Sequence, residues 1–204
     1  MSSVSNKADK EVWDESRLVS GLKDGQEEAF RLLIRRYQGK LYSVAYGITL
    51  DREESLDIIQ EVFLKVYQKI HTFREESRLS TWLHRITVNQ CLNWKRRWKR
   101  RFRFHHQPIE RDEAGEFPEL GTDADYPETQ YEKKEFERIF WQRLKELPEE
   151  ARIVYVLKEV EGLSYDEIAA VLKIKKGTVS SRLFYARKRL RDSLKPYLEE
   201  EEAS

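Results

Sequence analysis

Positive charge is concentrated in two short stretches of this 204-residue chain. Residues 95–103 (KRRWKRRFR) hold seven basic side chains and no acid, and residues 173–195 hold nine bases against one acid. The stretch between them, 104–137, is acidic, and the net charge of the whole chain is only +1. Because solvated helix faces usually mix both signs, this segregation predicts two separate surfaces that bind a polyanion.

The second basic stretch lies in a sequence typical of two short helices joined by a tight turn. Ser164-Tyr-Asp-Glu167 has capping-box spacing, in which the serine hydroxyl and the glutamate carboxylate satisfy the amide groups that open a helix. Gly177 is expected to form the turn, because glycine tolerates backbone angles that other residues resist. The inward face of the second helix is formed by Val179, Leu183, Ala186 and Leu190. The pattern predicts a helix-turn-helix that enters a DNA major groove.

Helical periodicity extends over most of the chain, so the predicted fold is all-α, with two helical domains. Residues 1–23 are polar and are predicted to be a disordered N-terminus. Residues 24–103 form the first domain, in which Asp24–Glu27 has capping-box spacing and Gly39 is expected to break a helix. Residues 104–130 gather prolines, glycines and acids, which predicts a flexible acidic linker. Residues 131–198 form the second domain with the helix-turn-helix, and residues 199–204 are an acidic tail.

The most regular helix of the first domain is opened by Asp51-Arg-Glu-Glu54. Its predicted buried face consists of Ile58, Ile59, Val62, Phe63, Val66, Tyr67 and Ile70. Its opposite face carries Asp57, Gln60, Glu61 and Lys65. From the residues alone, this face is an exposed patch of amides and charges, as expected of any solvated helix.

The composition argues against several classes of function. The sequence has no apolar run long enough to insert into a membrane and no signal-peptide core. Cys91 is the only cysteine, which excludes an intrachain disulfide and suits a cytoplasmic location. The four histidines and one cysteine lack ligand spacing, so no metal or other cofactor is expected. The acids form no constellation with histidine or cysteine that suits catalysis, so no catalytic residue is proposed and no enzyme is expected.

With these elements in place, the chain resembles the extracytoplasmic-function (group IV) sigma factors of bacterial RNA polymerase. Residues 57–73 (DIIQEVFLKVYQKIHTF) are similar to the family's region 2.2 helix. Residues 73–97 are similar to its promoter-melting segment, and residues 144–191 to its region 4. The resemblance covers about Ala29 to Leu194, and an acidic linker stands where larger sigma factors carry region 3. It implies a sigma factor that binds core polymerase, recognises minus-ten and minus-thirty-five promoter elements and promotes transcription initiation.

The resemblance also assigns roles to residues. It implies that the face with Asp57, Gln60, Glu61 and Lys65 docks on the largest subunit of core RNA polymerase.

The loop from Phe73 and the helix after it are implied to capture an unpaired base of the minus-ten element. Aromatic stacking and positive charge suit a single strand, at roughly 1–3 kcal/mol per stacked base. The implied minus-ten residues are Phe73, Arg74, Arg78, Thr81, Trp82, Arg85, Asn89, Asn93, Lys95 and Arg96. Phe73 and Trp82 suit the core equally well, and Asn89 equally suits a structural amide.

The helix-turn-helix is implied to bind the duplex minus-thirty-five element. The implied contacts are Lys175, Lys176, Thr178, Ser180, Ser181, Arg182, Phe184, Tyr185 and Lys188. Relatives often carry arginine where this chain has Ser180 and Tyr185, which weakens the case for arginine contacts to guanine there. The lysines are expected to hold phosphates.

Two functional hypotheses follow. The first is the sigma factor, for which the family also implies an anti-sigma factor as a partner. The alternative is a helix-turn-helix transcriptional regulator acting on a preformed holoenzyme, which leaves Gln60 and Glu61 without a role. Substituting those two residues separates the hypotheses, because only the first makes core binding depend on them.

Overall fold

The computed structural model describes residues 13–101 and 127–201, and the described residues form helices and no strand. The N-terminal unit contains α1 (Glu15–Lys23), α2 (Glu27–Thr49), α3 (Arg52–Lys69), a short 3-10 turn (Ile70–Thr72) and α4 (Leu79–Arg101). The C-terminal unit contains α5 (Pro127–Lys145), α6 (Glu149–Tyr155), a π-helical turn (Val156–Val160), α7 (Tyr165–Leu172) and α8 (Lys176–Glu201). The all-α, two-domain prediction is confirmed, while most of the predicted linker lies outside the described residues.

The predicted disorder of residues 1–23 is wrong for the part that the structure describes. Asp14 caps α1 by accepting a hydrogen bond from the Arg17 amide at 2.7 Å. Three apolar side chains of α1 are buried: Leu18, Val19 and Leu22. In addition, the Glu15 carboxylate accepts the Leu79 amide at 2.9 Å, so α1 caps the start of α4. The sequence did not indicate this helix, because its apolar residues are few and polar residues flank them.

Helix α2 is continuous through Gly39, so the predicted break at that residue is wrong. The Asp24–Glu27 capping box is also absent, because Asp24 ends α1 and Gln26 precedes α2 without a side-chain cap. By contrast, Asp51 caps α3 as predicted, accepting the Glu54 amide at 3.0 Å. Helices α2, α3 and α4 pack on one another and enclose the N-terminal core.

The boundaries of the C-terminal unit differ from the prediction at both ends. Helix α5 begins at Pro127 rather than residue 131, and α8 continues to Glu201, within the predicted tail. The turn after Val160 ends at Gly162, whose φ of +71° favours glycine.

The helix-turn-helix is confirmed, with one correction to its turn. Both hydrogen bonds of the Ser164–Glu167 capping box are present, at 3.2 and 2.8 Å. The left-handed residue of the turn is Lys173, with φ 55°, whereas Gly177 already lies inside α8. Lysine costs more than glycine in this conformation, so the turn depends on its surroundings, including the bond from the Ile174 amide to the Ala169 carbonyl.

The two units share one continuous hydrophobic core. The rings of Tyr46 in α2 and Trp141 in α5 meet edge to face at 5.2 Å between centroids. Helix α4 also packs along α7. The two predicted domains are therefore in direct contact with each other.

Candidate polymerase and nucleic-acid interfaces

The outer face of α3 presents three of the four predicted polymerase-binding residues to solvent: Asp57, Gln60 and Glu61. The fourth, Lys65, is half-buried and donates a hydrogen bond to the amide oxygen of Gln90 in α4. The Gln90 amide nitrogen in turn donates to the Glu61 carboxylate at 2.7 Å. Gln90 is buried, so it joins α3 to α4 through two charged side chains.

Large apolar side chains lie among these polar residues on α3. Leu56, Leu64 and Tyr67 are 43%, 57% and 61% exposed. The prediction that Tyr67 is buried is therefore wrong, and its ring packs on Phe30 at the surface, 5.1 Å between centroids. A mixed apolar and polar surface of this kind is typical of a protein-binding site.

Helix α4 aligns several predicted minus-ten residues along one edge. Arg85, Asn89 and Asn93 are spaced four apart and are all exposed, so they form a row that Arg96 continues. Arg74 and Arg78 are exposed in the loop before α4.

The two predicted aromatic contacts at the start of this region lie inward. Phe73 is 4% exposed and packs against the half-buried Trp82, 5.2 Å between ring centroids. In this arrangement Phe73 offers no face to a base, so it supports the loop rather than contacting DNA. The exposed tryptophan of α4 is Trp98, 42% exposed within the basic stretch 95–103.

Two predicted minus-ten residues are bound to the C-terminal unit. Thr81 is 7% exposed and donates a hydrogen bond to Glu167 at 2.7 Å. The Lys95 ammonium lies 2.5 Å from the Glu149 carboxylate. The pKa of Glu167 is below its usual range, mainly because its carboxylate accepts the Ser164 amide; the bond from Thr81 adds to this effect and burial opposes it.

Helix α8 presents most of the predicted minus-thirty-five residues to solvent: Lys175 just before it, and Lys176, Ser180, Ser181, Phe184, Tyr185 and Lys188 within it. Phe184 is 72% exposed and Tyr185 is 44% exposed. Thr178 and Arg182 are half-buried, and Arg182 forms an ion pair with Glu150. Lys176 pairs with Asp166 at 2.8 Å.

Three titratable side chains that are buried at the contact between the units were not predicted: His84, Glu161 and Arg152. His84 of α4 is 2% exposed, with Nε2 3.2 Å from the Glu161 carboxylate and Nδ1 donating to the Ser80 carbonyl at 2.6 Å. Arg152 of α6 is 4% exposed and donates to the Gly47 carbonyl at 2.7 Å. Burial lowers the pKa of Arg152. No local sequence pattern signals these pairs, because the partners are 77 and 105 residues apart.

Within residues 13–101 and 127–201, no helix is both long and apolar enough to cross a membrane. The same residues contain no group of three or more side chains arranged to hold a metal ion. Burial raises the pKa of the Cys91 thiol to about 12, so this cysteine stays protonated and unreactive near neutral pH.

Family models match both units of the chain. The model described as "Sigma-70 region 2" matches residues 33–101, and "Sigma-70, region 4" matches residues 137–190. An ECF RNA polymerase sigma-E factor from Haemophilus influenzae is 36% identical over 187 residues, which cover 89% of this chain and 95% of that protein. The chain belongs to the ECF sigma factors. It is thus a transcription initiation factor that binds core RNA polymerase and recognises minus-ten and minus-thirty-five promoter elements.

Other relatives give the same result. The RNA polymerase sigma-H factor of Pseudomonas aeruginosa is 35% identical, with 91% of this chain and 96% of the relative covered. Among solved structures, the sigma factor RpoE of Bartonella quintana, in complex with the anti-sigma factor NepR, has the same fold, with a TM-score of 0.63 at 24% identity. That likeness covers 85% of this chain and 98% of the other. CnrH, in complex with the cytosolic domain of CnrY, aligns with a TM-score of 0.60 at 21% identity, covering 89% and 97%.

Proposed function

We propose that this sigma factor docks on core polymerase through the outer face of α3, opens the minus-ten element with α4 and reads the minus-thirty-five element with α8. The observation that carries the proposal is the exposure of three separate surfaces on the two units that the family models match. Each surface has a composition suited to its ligand.

The α3 face supplies the contact to polymerase. Asp57, Gln60 and Glu61 provide hydrogen-bonding groups around the exposed Leu64 and Tyr67, so a partner is able to bury apolar area at the centre and pair polar groups at the rim. Gln90 holds Glu61 and Lys65 in place from behind. Docking and DNA opening thus use adjacent helices joined by a buried amide.

The α4 edge acts on single-stranded DNA. The row Arg85, Asn89 and Asn93 offers charge and amide groups to an unpaired strand, and Arg96 extends it. Opening costs a few kcal/mol per flipped base, which binding of the separated strand must offset. The proposed mechanism needs no hydrolysis, so the protein is not an enzyme.

The α8 surface reads duplex DNA mainly through apolar and hydroxyl groups. Phe184 and Tyr185 suit contact with thymine methyl groups, and Ser180 and Ser181 suit hydrogen bonds to base edges. Lys175, Lys176 and Lys188 suit phosphate contacts that fix the register.

We further propose that the chain acts in the cytoplasm under the control of an anti-sigma factor. The support is that two solved relatives of the same fold are in complexes, one of them with an anti-sigma factor by description. Affinity purification from the native cell should return a partner besides the polymerase subunits. Recovery of polymerase alone would remove this part of the proposal.

The docking surface is tested by measuring binding to core polymerase from the same bacterium. Gln60→Ala and Glu61→Gln should each weaken binding by about tenfold, because each removes or weakens a hydrogen bond that the polymerase is proposed to make. The matched controls are Gln38→Ala on α2 and Glu53→Gln at the start of α3. Both residues are exposed, and both variants should bind core polymerase as wild type does. Unchanged binding in all four variants would favour a regulator that acts on a preformed holoenzyme.

A further inference from the structure

Residues 73–78 form a loop before α4, which we call the minus-ten loop because it carries two of the predicted minus-ten residues, Arg74 and Arg78. The loop begins at Phe73, which is buried against Trp82. The other residues of the loop are exposed. The minus-ten loop therefore has an anchored first residue and an exposed middle that is able to meet DNA.

The backbone of the minus-ten loop turns at a residue in an unfavourable conformation. Glu75 has a φ of 60°, in the left-handed region that a residue with a Cβ atom adopts only at a cost. Such residues persist where the surrounding structure holds them, and they are concentrated at sites that bind ligands. The minus-ten loop left to itself would favour other conformations at Glu75, so its observed course depends on contacts from outside the loop.

Helix α1 supplies two such contacts. The Lys23 ammonium, in the last turn of α1, lies 2.6 Å from the Glu75 carboxylate. In the first turn of the same helix, the Glu15 carboxylate accepts the amide of Leu79, the residue directly after the loop, at 2.9 Å. Because Glu15 and Lys23 are about 12 Å apart along the helix axis, the loop is held at two separate points.

Helix α1 is itself firmly packed, so it is a rigid support for these contacts. Its side chains Leu18, Val19 and Leu22 are buried in the N-terminal core. The Lys23–Glu75 pair, by contrast, is partly exposed, and pairs of this kind contribute little to the stability of a whole domain. The effect expected of the pair is therefore local, on the conformation of the loop rather than on folding.

We propose that α1 positions the minus-ten loop for DNA, with Lys23 and Glu15 as its positioning residues. By holding Glu75 in the left-handed conformation, Lys23 fixes the backbone between Arg74 and Arg78 before DNA arrives. A loop that is already ordered loses less conformational entropy on binding an unpaired strand, so more of the binding free energy offsets the cost of opening. The inference rests on the proposed opening of the minus-ten element by α4 and extends it to the loop.

Charge reversal tests the Lys23–Glu75 pair. Lys23→Glu places two carboxylates together, Glu75→Lys places two ammonium groups together, and the double variant restores an opposite pair. Each single variant should slow promoter opening by about 3–10-fold, and the double variant should lie within about twofold of wild type. The rate is followed by the permanganate reactivity of unpaired thymines, with core polymerase from the same bacterium and a promoter fragment recovered from the genomic sites that this chain occupies.

The Glu75→Lys variant separates positioning from simple attraction to DNA. It adds positive charge to a loop that is proposed to meet DNA, so attraction alone predicts faster opening, whereas a displaced loop predicts slower opening. Lys40→Glu on α2 is the matched control for Lys23→Glu, because Lys40 is exposed and the change in charge is the same. This control should open the promoter as wild type does, and all of these variants should keep wild-type binding to core polymerase.

The second contact is tested at Glu15. Glu15→Ala leaves the Leu79 amide without its acceptor and should slow promoter opening by about 2–5-fold, whereas Glu15→Gln keeps an acceptor and should slow it less. Equal rates for these two variants would remove Glu15 from the proposal.

A label on the loop gives a readout that needs neither polymerase nor DNA. A nitroxide at Ser77→Cys, an exposed position in the loop, should be more mobile with Lys23→Glu than without it, and restricted again in the charge-swapped double variant. The buried Cys91 should not react with the label, because its thiol stays protonated.

Three results would overturn the proposal: equal opening rates in wild type and the charge-reversal variants, faster opening by Glu75→Lys, or equal mobility of the label. Wild type that neither binds core polymerase nor opens a promoter would instead overturn the proposed function. The label would still report the hold of α1 on the loop in that case, so the two failures are distinguishable.

Discussion

The two helices proposed to read DNA, α4 and α8, differ in what surrounds their polar side chains. On α8, Ser180, Ser181, Phe184 and Tyr185 face solvent. On α4, Thr81 and Lys95 are bonded to carboxylates of the other unit, more than 50 residues away in sequence. The predicted residues of α8 thus lie apart from the other unit, whereas two predicted residues of α4 are bonded to it.

This difference follows from how each helix is supported. Helix α8 packs on α5, α6 and α7, and its apolar stripe includes Val179, Leu183 and Leu190, while Ser180, Ser181 and Phe184 stay exposed. Helix α4 is packed by α2 and α3 on one side and by α7 on another. Thr81 and Lys95 of α4 are therefore held by the contact between the units, whereas the α8 residues are positioned within one unit.

The largest loss of stability is expected from Arg152→Ala. The substitution removes the buried bonds to the Gly47 and Leu147 carbonyls and a partly buried bond to the Lys145 carbonyl. We expect the free energy of unfolding to fall by about 3 kcal/mol, because buried acceptors lose their donor. Urea denaturation measures this change.

The matched control for that prediction is Arg187→Ala, which removes a partly exposed ion pair with Glu159. It should cost about 0–1 kcal/mol. Equal losses for the two variants would show that the contact between the units contributes no more than a surface pair.

The next largest loss of stability is expected from Gln90→Leu inside the N-terminal unit. The variant leaves Lys65 and Glu61 without their shared amide, and both are able to regain water. We expect a loss of about 1–2 kcal/mol by thermal or urea unfolding. The neighbouring exposed residue provides the control, since Asn89→Leu should stay within about 0.5 kcal/mol of wild type. A neutral Gln90→Leu would mean that the α3–α4 link is not needed for stability.

Acid should affect the contact at Thr81 through Glu167. The folded-state pKa of this carboxyl is lowered, so its contribution to stability is complete above the unfolded value of about 4.3 and is lost as pH falls through the lower folded value. Unfolding midpoints from neutral pH into acid should fall more steeply for wild type than for Glu167→Gln. Parallel curves for the two proteins would contradict this assignment.

The smallest loss of stability is expected from Lys95→Gln. The Lys95–Glu149 pair is partly exposed, so its loss should change stability by about 0–1 kcal/mol. The effect should shrink further in high salt, which screens exposed pairs. A loss as large as that expected for Arg152→Ala would show that the comparison between the buried and exposed contacts is wrong.

Local signals in the sequence predicted local structure well. The capping box at Ser164 and the apolar stripe of α8 were correct, because each depends on residues within a few helical turns. The left-handed residue of the turn was wrongly placed at Gly177, since the packing of the turn selected Lys173 despite its side chain.

Contacts between distant residues were not predictable in the same way. Thr81 and Glu167 are 86 residues apart, and nothing in either neighbourhood indicates the other. Tyr67 fits the apolar repeat of α3 but lies at its edge, where its ring packs on Phe30 and stays mostly exposed. Phe73 suited both base stacking and the core, and only the position of Trp82 decided between them.

The packing of the two units on each other is tested most directly by the distance between them in solution. One spectroscopic label is attached at Lys40→Cys on α2 and another at Arg191→Cys on α8, both exposed sites, while Cys91 stays buried. We expect a single narrow distance distribution in the free chain, because the two units pack through one hydrophobic core. A broad distribution in the free chain would contradict the packing of the two units on each other.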